Sequence, residues 1–413
     1  METMSTLKRS LLVSLFAVLS LVLVACGGGG DDKKDTGDKE TKEGGDLVLA
    51  VSADAESLDP AGSNDVPSSV VRSQMYETLL TRDDDNNLQP QLAKSWEAID
   101  DTTWEFELQE GVTFHDGEPF TAEAVKATLD RILDEKVAAP VFSYFEMIEE
   151  VEVVDDHTVR IKTEYPFAPI LAHLSHDGSA IISPKLIEED YKLMEEGKPA
   201  GSAFAKAAAG TGPFKFVSWT PGDEVKIERN DDYWGDKVHV DTVTYKVSPE
   251  STTRNADLEG GYVHVTDPVL SNEVNAINSS GNAEVLEKTS SSISYIGFNT
   301  EKEPFDDPKV RQAVALAVDL DEIIDGIYDG FGTPAAGPLS PDTFGFDEDL
   351  KPMKANLDEA KKLLKEAGLE DGFKTTIWTN DEQQRVDTAI YLQNQLKQLN
   401  IDVAIEQMEW GAF

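Results

Sequence analysis

Positive charge is scarce in this chain: 36 Lys and Arg stand against 79 Asp and Glu, a formal net charge of −43 over 413 residues. So acidic a chain offers no basic face to a phosphate backbone, which excludes nucleic-acid binding of that kind. The same charge opposes docking onto anionic lipid headgroups. Cysteine is almost missing, with Cys26 alone, so neither a disulfide framework nor a cysteine-ligated metal cluster can be built. Long hydrophobic runs are missing too. The uncharged stretch Leu11–Val24 covers about 14 residues, short of the roughly 20 that cross a bilayer as a helix. No Gly-x-Ser-x-Gly nucleophile elbow occurs. Hydrophobic residues nevertheless make up 40% of the chain and aromatics 8%, enough for packed cores rather than acidic disorder. The length predicts two or three domains.

Lys8 and Arg9 followed by Leu11–Val24 have the size and order of a signal peptide. The run ends in Leu23-Val24-Ala25-Cys26, which resembles a bacterial lipobox and predicts cleavage after residue 25 and lipidation of Cys26. A lipidated cysteine needs no partner, and its acyl chains would hold at a membrane a protein that its own charge would keep away. Gly27–Gly30 and the charged stretch Asp31–Gly45 contain nothing that can bury surface, so residues 26–45 read as a flexible acidic linker. Folding is expected from Asp46 onward.

Beyond that point strand and helix patterns mix. Leu47–Val51 reads as a strand, and apolar residues at Val70, Val71, Met75 and Leu79 predict a helix over Pro67–Leu80. Trp104, Phe106 and Leu108 alternate with polar residues as in a half-buried strand. Thr121 is expected to cap a helix through Val125, Leu129 and Ile132. Val151–Val154 with Val159–Ile161, and Phe214–Val217 with Val225–Ile227, predict hairpins. Ala203–Gly210 reads as a small, flexible crossover. Asp307-Pro308 starts a helical pattern that runs to Ile327 with a break near Asp319. Leu357–Ala367 and Asp381–Leu399 are further helices, the second bracketed by strands at Thr375–Trp378 and Asp402–Ile405. The fold class is therefore mixed α/β.

Chemistry is poorly represented. Of the six histidines only His173 and His176 are close in sequence. A metal reading would add Asp177, but surface or loop histidines fit better, because the usual ligand spacing is missing. Gly210-Thr211-Gly212-Pro213 lacks the Lys-Ser/Thr of a phosphate loop and reads as a turn before a strand. At this carboxylate density, Asp/Glu pairs carry no catalytic information. The sequence holds no enzyme signal and calls for no cofactor or resident metal.

Three segments, in order, carry a resemblance. The first is Leu92–Trp96 with Trp104–Leu108, Gly111–Gly117 and Pro119–Ala122. The second is Gly210–Phe214 with Arg229–Trp234. The third is Phe298–Thr300 with Pro304–Ala313. Together they are similar to the family 5 solute-binding proteins of ABC importers, the dipeptide, oligopeptide, glutathione and nickel group, and the likeness runs from about Asp46 to Phe413. It implies a bilobed Venus-flytrap fold of the type II periplasmic-binding class with an extra domain. The implied boundaries are residues 46–77 and 209–293 for the first lobe, 78–208 for the extra domain and 294–413 for the second lobe. It also implies a monomer that takes a peptide ligand to membrane permease subunits at the extracytoplasmic face.

The motif residues themselves read as structural. By resemblance, ligand contacts fall instead on Asn64, Asp65 and Val66 after Ser57-Leu58-Asp59-Pro60, on Phe142 or Tyr144, on Asp267, and on Arg385, whose guanidinium would grip a peptide carboxylate. Two departures stand out. Gly261-Tyr262-Val263-His264 replaces the usual Gly-Glu-Ile/Val-Asp. The chain also stops at Phe413, where relatives continue through a segment that receives the peptide's amino group, so the sequence is expected to be truncated. Alternatives within this frame are a nickel- or metal-chelate-binding protein, a secreted hydrolase on the same scaffold, and a surface receptor.

Overall fold

The computed structural model describes residues 43–408 except Thr289 and Asp342. The leader, Cys26, most of the acidic linker and the terminal Glu409–Phe413 lie outside the described residues. Among the described residues no helix is long and apolar enough to cross a membrane.

Strand β1 (Asp46–Val51) is followed by helix α1 (Val66–Arg72), whose N-cap is Asp65. The helical pattern predicted over Pro67–Leu80 is cut short at Arg72. Met75 and Leu79 are buried as the spacing requires, but the carbonyls of Gln74 and Met75 accept from Phe214 N at 3.1 Å and Gly212 N at 3.0 Å instead of serving a helix. Leu80 then opens strand β2 (Leu80–Arg82), which pairs with β3 (Leu88–Pro90).

A four-stranded antiparallel sheet follows, built from β4 (Ala93–Ala98), β5 (Thr103–Leu108), β6 (Ile148–Asp155) and β7 (Thr158–Thr163) in the order β4-β5-β7-β6. The predicted alternation puts Phe106 and Leu108 of β5 fully inside. Helix α2 (Ala122–Leu133) covers this sheet through Val125, Leu129 and Ile132. Thr121 does occupy the N-cap of α2, but its side chain makes no capping hydrogen bond. The short helix α3 (Ile170–His173) and helix α4 (Pro184–Glu195) come next.

A five-stranded sheet combines β1 with β8 (Phe214–Thr220), β9 (Glu224–Arg229), β10 (Thr242–Val247) and β11 (Val265–Asp267), in the order β11-β1-β10-β9-β8. Strand β1 runs parallel to both of its neighbours, while β10, β9 and β8 are mutually antiparallel. Helices α5 (Ser251–Glu259) and α6 (Val274–Ser280) flank β11 in sequence. The core of this part joins Val71, Met75, Leu186, Ile227, Val243 and Tyr245. The crossover at Ala203–Gly210 is not the loose segment its small residues predict, for Ala203, Phe204, Ala208 and Ala209 are all buried in this core.

The remaining elements are α7 (Pro308–Leu316), α8 (Leu320–Ile327), α9 (Leu357–Glu366), β12 (Lys374–Asn380), α10 (Gln383–Leu396) and β13 (Asp402–Met408). Asp307 caps α7, its Oδ1 accepting from Lys309 N at 2.8 Å. Asp319 breaks the pattern by capping α8, with its carboxylate accepting from Asp321 N and Glu322 N. Strands β12 and β13 pair in parallel across α10. Val310, Ala313, Leu364, Leu399, Ile401 and Val403 form a separate core here.

The family motifs bind these parts together. Glu77 is 3% exposed, yet accepts from Thr211 Oγ1, Tyr233 OH and Trp234 Nε1, each at 2.8 Å. Burial raises its pKa, and these three donors together with Gln91 oppose the rise. Gly210 lies so close that a Cβ would sit 2.1 Å from Met75 O, which is why no side chain fits there. His115 donates from Nε2 to Gly212 O at 2.9 Å, and burial pushes its pKa down to about 4.

Candidate ligand-binding site

The loop carrying Asn64 is fixed from beneath by two buried arginines. Arg72, 1% exposed, donates to Asp59 O at 3.0 Å, Ser63 O at 3.2 Å and Ser63 Oγ at 3.0 Å, and pairs with Asp177 Oδ2 at 2.7 Å. Arg131 grips the Asp59 carboxylate with both terminal nitrogens and also reaches Asp190. Ser57-Leu58-Asp59-Pro60 is thus an anchor, and the residues after it are presented on a rigid base.

On that base Asn64 donates from Nδ2 to Tyr144 OH at 2.9 Å. Two of the segments named from sequence are therefore in direct contact. Tyr144 lies in the 3-10 turn Phe142–Tyr144, where Phe142 is 39% and Tyr144 36% exposed. Val66 is also open to solvent. Asp65 has a structural duty, since its Oδ1 accepts from Ser68 N at 2.9 Å and caps α1. Its Oδ2 is shielded and without a partner among the described residues.

The two histidines close this cluster. His173 donates from Nδ1 to Tyr144 O. The His176 ring stands edge-on to the Tyr144 ring, with centroids 5.1 Å apart. Its Nδ1 accepts from Gly178 N at 3.0 Å, while Asp177 pairs with Arg72 through Oδ2 and brings Oδ1 to 3.4 Å from the same Nδ1. Among the described residues no group of three His, Cys, Asp or Glu is placed to hold a metal ion.

Asp267 ends β11, in register with Val51 of β1. The chain leaving it is clamped by Arg254 of α5, which is 2% exposed and donates to Ser248 O at 2.8 Å, Pro249 O at 2.7 Å and Pro268 O at 2.9 Å. Glu273 adds a second tie, accepting from Ser251 Oγ at 2.9 Å. His264, in place of the usual acid, accepts from Val48 N at 3.0 Å through Nδ1 while its own N donates to Val48 O. The imidazole thus carries the β1–β11 pairing one bond further.

Arg385 stands in the first turn of α10. Glu382 caps that helix, accepting from Gln384 N and Arg385 N at 3.0 Å each, and lies 3.7 Å from Arg385 Nε. Arg385 also approaches Asn380 Oδ1 at 3.5 Å. Its neighbour Gln384 donates to Ser271 Oγ at 2.8 Å, which ties the start of α10 to the segment after Asp267. Of the candidates, Asn64 and Tyr144 are in direct contact, while the segments carrying Asp267 and Arg385 are joined through the Gln384–Ser271 hydrogen bond. Sequence reasoning did not single out Arg72, Arg254 or Gln384, whose partners are backbone carbonyls and side chains of other segments, and it set His176 aside as a loop residue.

Residues 87–413 match the model of the bacterial extracellular solute-binding proteins, family 5 (middle region), a family of binding proteins and not of enzymes. The glutathione-binding protein GsiB of Pectobacterium atrosepticum is 33% identical over 369 residues, 89% of this chain and 70% of that protein. The periplasmic binding protein DppA of Helicobacter pylori, solved with the peptide STSA, superposes with a TM-score of 0.79 at 32% identity, covering 90% of this chain and 75% of that one. The oligopeptide-binding protein AppA of Bacillus subtilis, solved with a nonapeptide, gives 0.80 at 30% identity over 90% and 76%. Both solved structures have the bilobed α/β fold. With most of its length matched by the family model and its fold shared with these structures, the chain belongs to the family 5 extracellular solute-binding proteins of bacteria.

Proposed function

We propose that this protein captures di- or oligopeptides, or glutathione, outside the cytoplasm and delivers them to the permease of an ABC importer. The observation that carries the reading is the Asn64–Tyr144 hydrogen bond. It joins two of the segments that the family resemblance assigns to the ligand, on a loop tied down by Arg72 and Arg131. Asn64, Asp65, Val66, Phe142 and Tyr144 contact one part of the ligand, and Asp267 and Arg385 another. Binding closes the lobes by hinge motion, and the closed form docks on the permease. The domain division is the one expected from sequence, with residues 78–208 as the extra domain. Cys26 carries the lipid that holds the monomer at the membrane surface. A metal-chelate ligand has less support, because His173 and His176 each spend a ring nitrogen on the backbone.

Thermal unfolding of the protein with a panel of di- to pentapeptides, reduced glutathione and Ni²⁺ tests the ligand class. A ligand at a hundred times its Kd stabilises by about 2.7 kcal/mol, a shift of about 2 °C or more at this size. Stabilisation by Ni²⁺ alone would replace the peptide reading, and no response to any peptide or to glutathione would overturn it. Mass spectrometry of the mature N-terminus reads the modification of Cys26 directly.

A further inference from the structure

The Tyr144 cluster contains a hydrogen-bond donor that the candidate contacts do not include. The Nδ1 of His176 receives the Gly178 N–H, and an atom that accepts there carries no proton. The proton of the neutral ring is therefore on Nε2, and that tautomer is fixed by backbone. Burial and the neighbouring Arg72 favour the neutral ring over the charged one, against the pull of Asp177. Nε2 itself has no hydrogen-bond partner among the described residues, and the side chain is 35% exposed. Next to it, Tyr144 OH accepts from Asn64, which leaves the hydroxyl hydrogen available to donate. His173 is set the other way, with Nδ1 donating to Tyr144 O, so it holds the turn in place. Tyr144 O–H and His176 Nε2–H are thus two neutral donors on adjoining rings, whose centroids lie 5.1 Å apart.

We propose that His176 is a specificity-determining residue, its Nε2–H donating, together with Tyr144 O–H, to a carbonyl or carboxylate oxygen of the bound peptide. This rests on the reading of Asn64 and Tyr144 as ligand contacts and extends it to a residue outside that set. A fixed neutral donor suits an oxygen acceptor and disfavours an ammonium group at the same place. Such a site selects for where along the ligand its oxygens lie.

The test is calorimetric titration of the wild type, His176→Phe, His176→Gln and Tyr144→Phe with the same panel of peptides and glutathione. Phe keeps the ring against Tyr144 but removes the donor, and Gln returns an N–H near the Nε2 position. The expected result is a loss of about tenfold or more in affinity for His176→Phe, substantial recovery in His176→Gln, and a smaller loss in Tyr144→Phe. Coupling between His176→Phe and Tyr144→Phe in the double variant would support a shared acceptor. Wild-type affinity in a folded His176→Phe protein would overturn the inference while leaving the peptide reading intact. If His176→Phe fails to fold, His176→Leu, which also removes the donor, takes its place, and wild-type affinity in that folded variant overturns it equally. A wild type that binds no peptide and no glutathione removes both.

Discussion

Arg131 and Asp59 meet in a two-pronged ion pair, NH1 to Oδ1 at 3.0 Å and NH2 to Oδ2 at 2.6 Å, with both side chains at most 2% exposed. Asp190 takes the same NH2 at 2.8 Å and accepts from Gly201 N and Ala203 N. The cluster joins the loop before Asn64 to α2, α4 and the buried crossover. Removing one partner strands a buried charge, so Asp59→Ala or Arg131→Ala should destabilise by about 3–5 kcal/mol. Replacing Arg131 by Met, whose apolar side chain leaves both carboxylates unmatched, should be no milder. Urea unfolding followed by circular dichroism reads the loss, and a change under about 1 kcal/mol would contradict this role.

Gly210 gives a second, backbone-level prediction. A Cβ at this position would fall 2.1 Å from Met75 O and 2.7 Å from the Tyr76 ring. The same stretch carries Thr211, a donor to buried Glu77. Gly210→Ala should therefore cost several kcal/mol by displacing backbone, beyond the 1–3 kcal/mol of ordinary overpacking. Gly222, where a Cβ would meet nothing within 4 Å, is the control. Gly222→Ala should cost about 1 kcal/mol, since its φ of +77° still disfavours a side chain.

How much of this was legible in advance follows from the range of the interactions. The alternation in β5, the Asp319 break between α7 and α8 and the strand pair around α10 are local patterns, and they stand where the spacing put them. The over-long helix after Pro67 failed because Gly212 and Phe214, far along the chain, claim the carbonyls of Met75 and Gln74. The crossover at Ala203–Gly210 is buried, not loose, because small residues permit close packing as readily as they permit flexibility. At the site, Asn64 and Tyr144 lie 80 residues apart, and only the family resemblance named both. The donor role of His176 depends on Gly178 and Tyr144 together, which no motif encodes.

His115 should leave a pH signature. Its native pKa of about 4 lies below the ordinary 6.5 because the ring is buried. The unfolded chain therefore takes up a proton near pH 6.5 that the native protein refuses until about pH 4. The associated stability, about 3 kcal/mol, is fully present above pH 6.5 and is lost as the pH falls through that window. Glu77 acts in the opposite sense: burial raises its pKa, so its protonation relieves a penalty as the pH falls. Subtracting the stability of His115→Gln from that of the wild type across pH 4–8 isolates the histidine. A difference that stays flat over that range would contradict the assignment.

The charge of −43 should make stability depend on salt. Exposed acids crowd together, as at Asp83, Asp84 and Asp85, and their repulsion is lessened once the Debye length falls from about 10 Å at 0.1 M salt to 3 Å at 1 M. Moving from 0.1 to 1 M NaCl should raise the unfolding midpoint by a few degrees, on the order of 1–2 kcal/mol. Cations of the same charge, Na⁺ and K⁺, should act alike if screening is the cause. A midpoint unchanged by either salt would show that the surface acids are too well solvated to matter.

Arg385 supplies the most direct probe of ligand polarity. The guanidinium is half-exposed beside Glu382 and Asn380, so a ligand carboxylate must compete with the Glu382 carboxylate for it. Arg offers a forked donor that holds a carboxylate through two bonds, a geometry that Lys does not reproduce. Arg385→Ala should weaken a peptide with a free C-terminus by about ten- to a hundredfold and its amidated counterpart by much less. Arg385→Lys should recover only part of the loss. Glu382→Gln should tighten free-acid peptides by removing the competitor, while Gln keeps a side-chain oxygen to cap α10. Calorimetry with matched acid and amide peptides separates these outcomes. Equal losses for acid and amide in Arg385→Ala would place the arginine outside the carboxylate subsite and make it a structural partner of the α10 cap.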